Sequence, residues 1–163
     1  MKRLIIIRGN SASGKTTVAR ELQERLGRTT MLLSQDTLRR EILRAKDTTN
    51  HPGGKLLQLV ARFGWENGYD SVIVEGIWSK KKYGEQLHEL IREADKARLF
   101  YFDIPFEETV RRHGSKPVAG EYGEAELRGW WLQKDYLGAE NEVILDETYS
   151  KEMIVEKILK ELV

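Results

Sequence analysis

Cysteine is absent from this sequence of 163 residues. Its absence excludes a disulfide framework, a thiol nucleophile and a zinc site with thiolate ligands. The sequence also has only three prolines, and no run rich in glycine, proline and serine marks a linker between domains. At roughly 150 residues per domain, the length therefore predicts a single domain over residues 1–163.

Long apolar runs are absent as well. No stretch reaches the roughly 18 apolar residues that a membrane-spanning helix needs, so we expect no association with a membrane. The apolar run at residues 4–7, which follows Lys2 and Arg3, is too short for the hydrophobic region of a signal peptide. Together with the lack of cysteine, these absences predict a cytoplasmic protein.

The charges of the sequence nearly cancel. Lys and Arg number 27 and Asp and Glu number 26, which gives a formal net charge of +1 with neutral His. This balance disfavours a protein that coats nucleic acid and leaves room for a local basic pocket. Nothing in the sequence tells the number of subunits. The apolar fraction of 40% and the charged fraction of 33% are typical of a globular chain.

Short apolar runs alternate with segments of helical periodicity along the chain. The predicted strands cover residues 4–7, 29–34, 71–77, 98–104 and 142–146. The predicted helices cover residues 15–26, 36–45, 55–65, 80–94, 105–113, 124–137 and 151–162. This order predicts an α/β fold of three layers, with a five-stranded parallel sheet and helices on both faces. Ligands of such sheets bind beyond the carboxyl ends of the strands.

The predicted helix over residues 55–65 carries an apolar stripe. Four apolar residues recur there at helical spacing, namely Leu56, Leu59, Val60 and Phe63. Stripes of this kind normally face a protein core. We therefore expect these four side chains to pack inward.

Residues 9–16 match the phosphate-loop pattern G-x-x-x-x-G-K-[ST] at every fixed position. The glycines of such a loop let successive backbone N–H groups face one polyphosphate, and the following helix points its positive end at the same anion. Lys15 is expected to reach the β- and γ-phosphates, and the Thr16 hydroxyl to bind Mg²⁺. The predicted ATP-binding residues are Gly9, Asn10, Ser11, Ala12, Ser13, Gly14, Lys15, Thr16 and Thr17.

The context of this motif favours a phosphate loop over the alternative, a glycine-rich turn without a ligand. An apolar strand is predicted just before it, and an amphipathic helix begins inside it. The Asn-Lys-x-Asp signature of guanine-binding GTPases is absent. We therefore expect a nucleoside triphosphate bound together with Mg²⁺.

Glu75 ends the third predicted strand and is followed by Gly76. A carboxylate at this position could hold a water molecule bound to Mg²⁺, which makes Glu75 a candidate metal-site residue beside Thr16. The alternative is a carboxylate at a strand end that pairs with a nearby base.

Asp36 follows the second predicted strand, so we expect it across from the phosphate loop, on the neighbouring strand of the sheet. Its carboxylate could act as a general base that takes the proton of an acceptor hydroxyl during attack on the γ-phosphorus. The alternative is a helix N-cap. Arg39 lies one helical turn further, and we expect it either to hold the acceptor or to pair with Asp36.

The segment after the fourth predicted strand has the composition of a lid. Residues 114–123 include three glycines and one proline, and we place the lid at about residues 113–127. Arg112, at the base of this loop, is expected to stabilise charge on the transferred phosphoryl group when the lid closes and excludes water. The alternative is a solvated helix end, an interpretation that suits Arg111.

These features resemble the small P-loop kinases. The residues that carry the resemblance are the phosphate loop, the Asp36-x-x-Arg39 spacing and the stretch from Asp103-Ile104-Pro105 to Arg112. Within this group, they are most similar to the kinase domain of bacteriophage polynucleotide 5′-hydroxyl kinase, the chloramphenicol phosphotransferases and the zeta-toxin kinases. The resemblance implies the P-loop NTPase fold, binding of ATP·Mg²⁺ and transfer of the γ-phosphate to a hydroxyl.

The resemblance also implies the roles of individual residues. It assigns ATP·Mg²⁺ binding to Lys15 and Thr16, the general base to Asp36, an acceptor contact to Arg39 and the lid arginine to Arg112. Glu75 departs from the pattern, because the polynucleotide kinases have Asp at this position, and its role stays open.

We therefore expect an ATP-dependent kinase that phosphorylates a hydroxyl of a small molecule or nucleotide. Two alternatives remain at this point: a polynucleotide 5′-hydroxyl kinase, and a nucleotide-binding regulatory ATPase without a kinase acceptor. The near-neutral charge gives the first alternative only weak support.

Overall fold

Five parallel strands form the central sheet of the structure, a computed structural model that describes residues 1–49 and 51–162. The strands are β1 Arg3–Gly9, β2 Thr30–Ser34, β3 Ser71–Gly76, β4 Lys96–Phe102 and β5 Glu142–Leu145. Their order in the sheet is β2-β3-β1-β4-β5, and every neighbouring pair is parallel. This confirms the predicted five-stranded parallel sheet.

The strand order corrects one expectation about the site. Because β3 lies between β1 and β2, the strand that precedes Asp36 is not the neighbour of the strand that precedes the phosphate loop. Since all strands are parallel, their carboxyl ends still meet at one edge of the sheet. Glu75, near the end of β3, therefore lies between the two.

Six α-helices of the described residues connect and flank the strands. They are α1 Lys15–Leu26, α2 Gly53–Glu66, α3 Lys80–Glu93, α4 Phe106–Gly114, α5 Glu124–Trp130 and α6 Lys151–Leu162. A π-helical segment covers Thr37–Ile42, and a short 3₁₀ helix covers Pro117–Gly120. No helix of the described residues is long and apolar enough to cross a bilayer.

Two of the predicted helices were wrong in extent or type. The predicted α-helix over residues 36–45 is π-helical and ends at Ile42, because the backbone beyond it turns back so that Ala45 N–H bonds the Arg39 carbonyl. The predicted helix over residues 124–137 ends at Trp130, and Trp131 is extended. Contacts with the phosphate-loop region, described below, hold the residues that follow.

The two faces of the sheet carry separate cores, as expected for three layers. Successive residues of β1 point to opposite faces, so Leu4 and Ile6 lie in one core and Ile5 and Ile7 in the other. The first core is completed by α2 and α3, with Leu57, Ala61, Leu87 and Leu90. The second is completed by α1 and α6, with Val18, Leu22, Ile154 and Ile158. Burial of each such aliphatic side chain contributes about 1.5–3 kcal/mol to the free energy of unfolding.

Helix α2 is rotated about its axis from the predicted orientation, so only half of the predicted apolar stripe packs against the core. Of the expected inward stripe, Leu56 and Val60 pack against the first core as predicted, whereas Leu59 and Phe63 are 65% and 57% exposed. Leu57, Ala61 and Gly64 are buried instead. The reason is close packing against β2, since a Cβ on Gly64 would overlap the sulfur of Met31. The side with the small residues therefore faces inward.

Candidate active site

The phosphate loop connects the end of β1 to the start of α1, at the carboxyl edge of the sheet. Gly9 and Gly14 have φ angles of 151° and 99°, which L side chains rarely adopt. A Cβ on Gly9 would also lie 2.7 Å from the carbonyl oxygen of Phe102 on β4. The loop therefore needs glycine at both ends, as the motif predicts.

Lys15 is buried inside the loop that precedes it. Its Nζ donates hydrogen bonds to the Asn10 carbonyl oxygen at 2.6 Å and to Ser13 Oγ at 3.2 Å. Burial lowers the pKa of the ammonium group to about 8, and Lys116 adds to the lowering while Glu75 and Asp36 oppose it. The ammonium is therefore poorly solvated and held by neutral acceptors.

Thr16 and Glu75 lie together at the start of α1 and near the end of β3. The Thr16 hydroxyl lies 3.3 Å from both carboxylate oxygens of Glu75, to which it donates. Glu75 is buried, because its strand is central in the sheet. The structure thus brings the two residues predicted for the metal site into contact, and both offer oxygen ligands of the kind that Mg²⁺ prefers.

Asp36 precedes the π-helical segment and points its carboxylate into solvent, with the side chain 71% exposed. It makes no side-chain cap hydrogen bond, so the N-cap alternative fails. Oδ1 of Asp36 lies 3.7 Å from Nη2 of Arg39 and 3.4 Å from Nε of Arg40. Sequence reasoning missed Arg40, although its spacing of four residues from Asp36 on a helix was a usable signal.

Arg39 is more firmly held than Asp36. Its Nη1 donates to the Ala45 carbonyl oxygen at 3.1 Å, and its side chain is largely buried. The backbone that follows Ile42 therefore fixes the guanidinium beside the Asp36 carboxylate. The two residues predicted for acceptor binding lie close enough for this pairing.

Arg112 links α4 to the phosphate loop. Its Nη1 donates to the Ser13 carbonyl oxygen at 3.0 Å, and its Nε donates to Glu108 Oε1 at 2.7 Å. Arg111 pairs with the same carboxylate but stays exposed, as a solvated helix end would. Hydrogen bonds from Arg111 and then Arg112 lower the pKa of Glu108 to about 2.

Lys116 brings another positive charge towards this site. It lies in the turn between α4 and the 3₁₀ helix, where its backbone N–H bonds the His113 carbonyl. Burial lowers its pKa, the nearby Arg112 lowers it further, and Glu75 opposes both effects. Sequence reasoning had given Lys116 no role.

The residues after α5 form a wall beside the phosphate loop that the sequence did not predict. The Asn10 side chain accepts from the Leu132 N–H at 2.9 Å and donates to the Leu132 carbonyl at 2.8 Å. Arg8, only 1% exposed, donates to Asp135 Oδ2 at 2.7 Å and to the Trp78 carbonyl at 3.0 Å. The position of Arg8 directly after the apolar run of β1 was a usable signal in the sequence. An arginine buried at the end of such a strand needs an acidic partner, which Asp135 provides.

Comparison with known proteins identifies the family and the fold of the chain. A model of the AAA domain family matches residues 4–138. No curated protein sequence matches. A solved gluconokinase from Sinorhizobium meliloti is 17% identical, with a TM-score of 0.71 over 99% of this chain and 91% of that one.

Two further solved structures show the same likeness. The APS kinase of Mycobacterium tuberculosis in complex with AMPPNP and APS is 16% identical, with a TM-score of 0.72 over 98% of this chain and 96% of that one. The shikimate kinase of Acinetobacter baumannii in complex with shikimate is 20% identical, with a TM-score of 0.62 over 99% of this chain and 93% of that one. The chain therefore has the α/β P-loop NTPase fold of small P-loop kinases.

Proposed function

The chain belongs to the AAA domain family, and we propose that it is an ATP-dependent kinase that transfers the γ-phosphate of ATP to a hydroxyl of a small molecule or nucleotide. The observation that carries this proposal is the meeting of three groups at the carboxyl edge of one sheet. They are the phosphate loop, the Thr16–Glu75 pair and the Asp36 carboxylate. The first two suit ATP·Mg²⁺, and the third suits an acceptor.

The loop would hold the triphosphate tail with its backbone N–H groups and with Lys15. On binding, the Lys15 ammonium would exchange two neutral acceptors, the Asn10 carbonyl and the Ser13 hydroxyl, for charged phosphate oxygens. Hydrogen bonds between charged groups are about twice as strong as neutral ones. The buried ammonium therefore supports tight recognition of a polyphosphate.

Thr16 and Glu75 would hold Mg²⁺, directly or through water. A hydroxyl and a carboxylate in contact fit a hard cation. No group of three or more His, Cys, Asp or Glu side chains in the described part of the chain could hold a metal ion alone, so phosphate oxygens and water would complete the coordination. When bound, Mg²⁺ neutralises charge on the β- and γ-phosphates.

Asp36 would act as the general base. It would take the proton of the acceptor hydroxyl while that oxygen bonds the γ-phosphorus, and the bond from this phosphorus to the β–γ bridging oxygen would break to release ADP. Its exposed carboxylate is open to an acceptor, and Arg39 stands beside it as a fixed cation that could orient the acceptor. Arg112 would stabilise charge on the transferred group as the segment at about residues 113–127 closes over the loop.

The solved neighbours support a small acceptor over the 5′ end of a polynucleotide. Two of them are described as complexes with small molecules, APS and shikimate. The formal net charge of +1 also offers little attraction for a polyanionic strand.

The proposal is tested with labelled ATP and a panel of sugars, sugar acids, nucleosides and 5′-hydroxyl oligonucleotides. We expect one class of small hydroxyl compound to become labelled, and we expect Asp36→Asn to reduce this transfer by about 10²–10⁴-fold. Calorimetry should show unchanged ATP·Mg²⁺ affinity for that variant. Glu41→Gln, on the same π-helical segment, is the matched control and should keep full activity.

Three results would contradict the proposal. Labelling of oligonucleotides alone would favour a polynucleotide kinase. Hydrolysis of ATP without any labelled acceptor, unchanged by Asp36→Asn, would favour a regulatory ATPase. The absence of any Mg²⁺-dependent nucleotide binding would remove the basis of the assignment.

A further inference from the structure

Helix α2 carries a row of four exposed side chains, one on each turn of its outer side. We name this row the α2 ridge, and its members are Lys55, Leu59, Phe63 and Glu66. The spacings of four, four and three residues keep the row on one side of the helix. From its N-terminal to its C-terminal end, the α2 ridge therefore has one positive, two apolar and one negative side chain.

The apolar centre of the α2 ridge lies mostly outside the core of the chain. Leu59 and Phe63 are mostly exposed, while the side of α2 that faces the sheet uses Ala61 and Gly64. Contiguous exposed apolar patches mark interaction surfaces, whereas single exposed apolar residues are common on monomers. Ile42, on the π-helical segment that packs against α2, adds a third exposed apolar side chain, which is 59% exposed.

On the side of α2 next to α3, the polar residues beside the α2 ridge form hydrogen bonds and ion pairs with α3. Arg62 forms a two-bond ion pair with Glu93 of α3, and Gln58 bonds Glu89 of α3. These contacts tie that side of α2 to its own chain. The four side chains of the outer row stay exposed, although Glu93 and, more weakly, the charge of Glu66 contribute to raising the pKa of Arg62.

The charges of the α2 ridge are placed symmetrically about its apolar centre. Lys55 lies one turn before Leu59, and Glu66 lies one turn after Phe63. At 1.5 Å per residue, the two charged residues are about 16 Å apart along the helix, too far to pair with each other. If a second copy of the ridge is placed antiparallel against the first, Lys55 of each copy faces Glu66 of the other. Leu59 of each copy then faces Phe63 of the other.

We propose that the α2 ridge is the centre of a two-fold symmetric interface with a second copy of this chain. Helix α2 of one protomer lies antiparallel to α2 of its partner, so that the leucine and phenylalanine of each ridge interlock and the lysine of each pairs with the glutamate of the other. A two-fold interface requires this self-complementarity, because one surface must match itself. An unrelated protein would need no such palindrome of charge.

The experiment measures the mass of the full chain by sedimentation equilibrium over a range of concentrations. We expect a species of twice the chain mass of 18.9 kDa, with a dissociation constant below about 100 µM. Leu59→Ser should weaken it by about tenfold or more, because apolar contact is lost at two symmetry-related places. Lys81→Glu, on exposed α3 surface, is the control for a simple change of charge and should leave the dimer unchanged.

Charge reversal identifies the partner as a second copy. Lys55→Glu and Glu66→Lys each place like charges together twice per dimer, and each should weaken association by about tenfold or more. An equimolar mixture of the two variants should associate as a heterodimer of wild-type strength, since both cross-pairs become attractive again. Both substitutions together in one chain should restore the homodimer for the same reason.

Several results would overturn this interface. A monomer at every concentration would do so, as would a dimer that is insensitive to Leu59→Ser. Failure of the mixed single variants to associate would show that Lys55 and Glu66 do not meet across a two-fold axis. A complex with a different protein that survives both charge reversals would assign the ridge to that protein instead. Circular dichroism of each variant verifies that loss of the dimer is not loss of the fold.

Discussion

Removing the carboxylate of Asp135 should destabilise the protein through Arg8, the buried cation at the end of β1. The Arg8 guanidinium is 1% exposed, and its pKa is lowered by burial and raised again by Asp135 and Glu142. Asp135 Oδ2 lies 2.7 Å from Nη2 of Arg8, whereas Glu142 Oε1 lies 3.5 Å from Nη1. Asp135 is therefore the principal partner of a charge that water does not reach.

The magnitude follows from the burial of the two partners. Breaking a buried pair at one end costs about 3–5 kcal/mol, and we expect about 3 kcal/mol for Asp135→Ala, because Asp135 is 19% exposed and Glu142 remains nearby. For a chain of this length, such a change lowers Tm by about 6–12 °C. Urea unfolding gives the free energy, and calorimetry gives Tm.

Two control variants separate this effect from general damage. Glu156→Ala removes one partner of the exposed pair Arg25–Glu156 and should cost less than about 1 kcal/mol. The double variant Arg8→Met with Asp135→Leu removes both charges and should recover the part of the lost stability that comes from the unpaired Arg8. The hydrogen bond from the Lys80 N–H to Asp135 Oδ2, at 2.9 Å, is lost in both variants. If Asp135→Ala unfolds no more easily than Glu156→Ala, the buried charge does not depend on this partner and the reasoning is refuted.

Two further predictions concern the nucleotide site. Because burial lowers the pKa of Lys15 to about 8, its ammonium loses its proton as pH rises through this value, and affinity for ATP should fall above about pH 8. Calorimetry should find a weaker pH dependence for Lys15→Arg, whose charge persists, and an identical slope in both proteins would contradict the role of Lys15. Arg112→Ala should lower kcat by about 10²-fold, because the cation that contacts the loop at the Ser13 carbonyl is lost. Arg111→Ala, which removes the exposed arginine on the same Glu108, should change kcat little, and equal losses in steady-state assays would contradict this distinction.

The sheet and the phosphate loop could be predicted because their signals are local. A strand buried on both faces, such as β1, appears in the sequence as an uninterrupted apolar run. The motif that follows fixes the spacing of Gly9, Gly14 and Lys15, and the φ angles of both glycines agree with it. The contact between Thr16 and Glu75 has a similar origin. Helix α1 begins and strand β3 ends at the same edge of the sheet, which brings the two residues together.

The residues after α5 and the orientation of α2 could not be predicted, because distant contacts decide them. Residues 131–137 have the composition of a helix, yet Leu132 bonds Asn10, which lies 122 positions away in the sequence. In α2, both faces carry apolar residues, and the depth of packing at Gly64 against Met31 decides which one is buried. Arg40 is a different case, because its local spacing from Asp36 was sufficient to predict the pairing.

The two hydrogen bonds between Asn10 and Leu132 also affect the order in which the protein folds. Both use the side-chain amide of Asn10, so this anchor uses no backbone N–H of the loop. Joining residues so far apart closes a large segment of chain, and contacts of that separation form slowly. During synthesis, the first sixteen residues leave the ribosome long before Leu132, so the loop gains its last anchor only when most of the chain has been made.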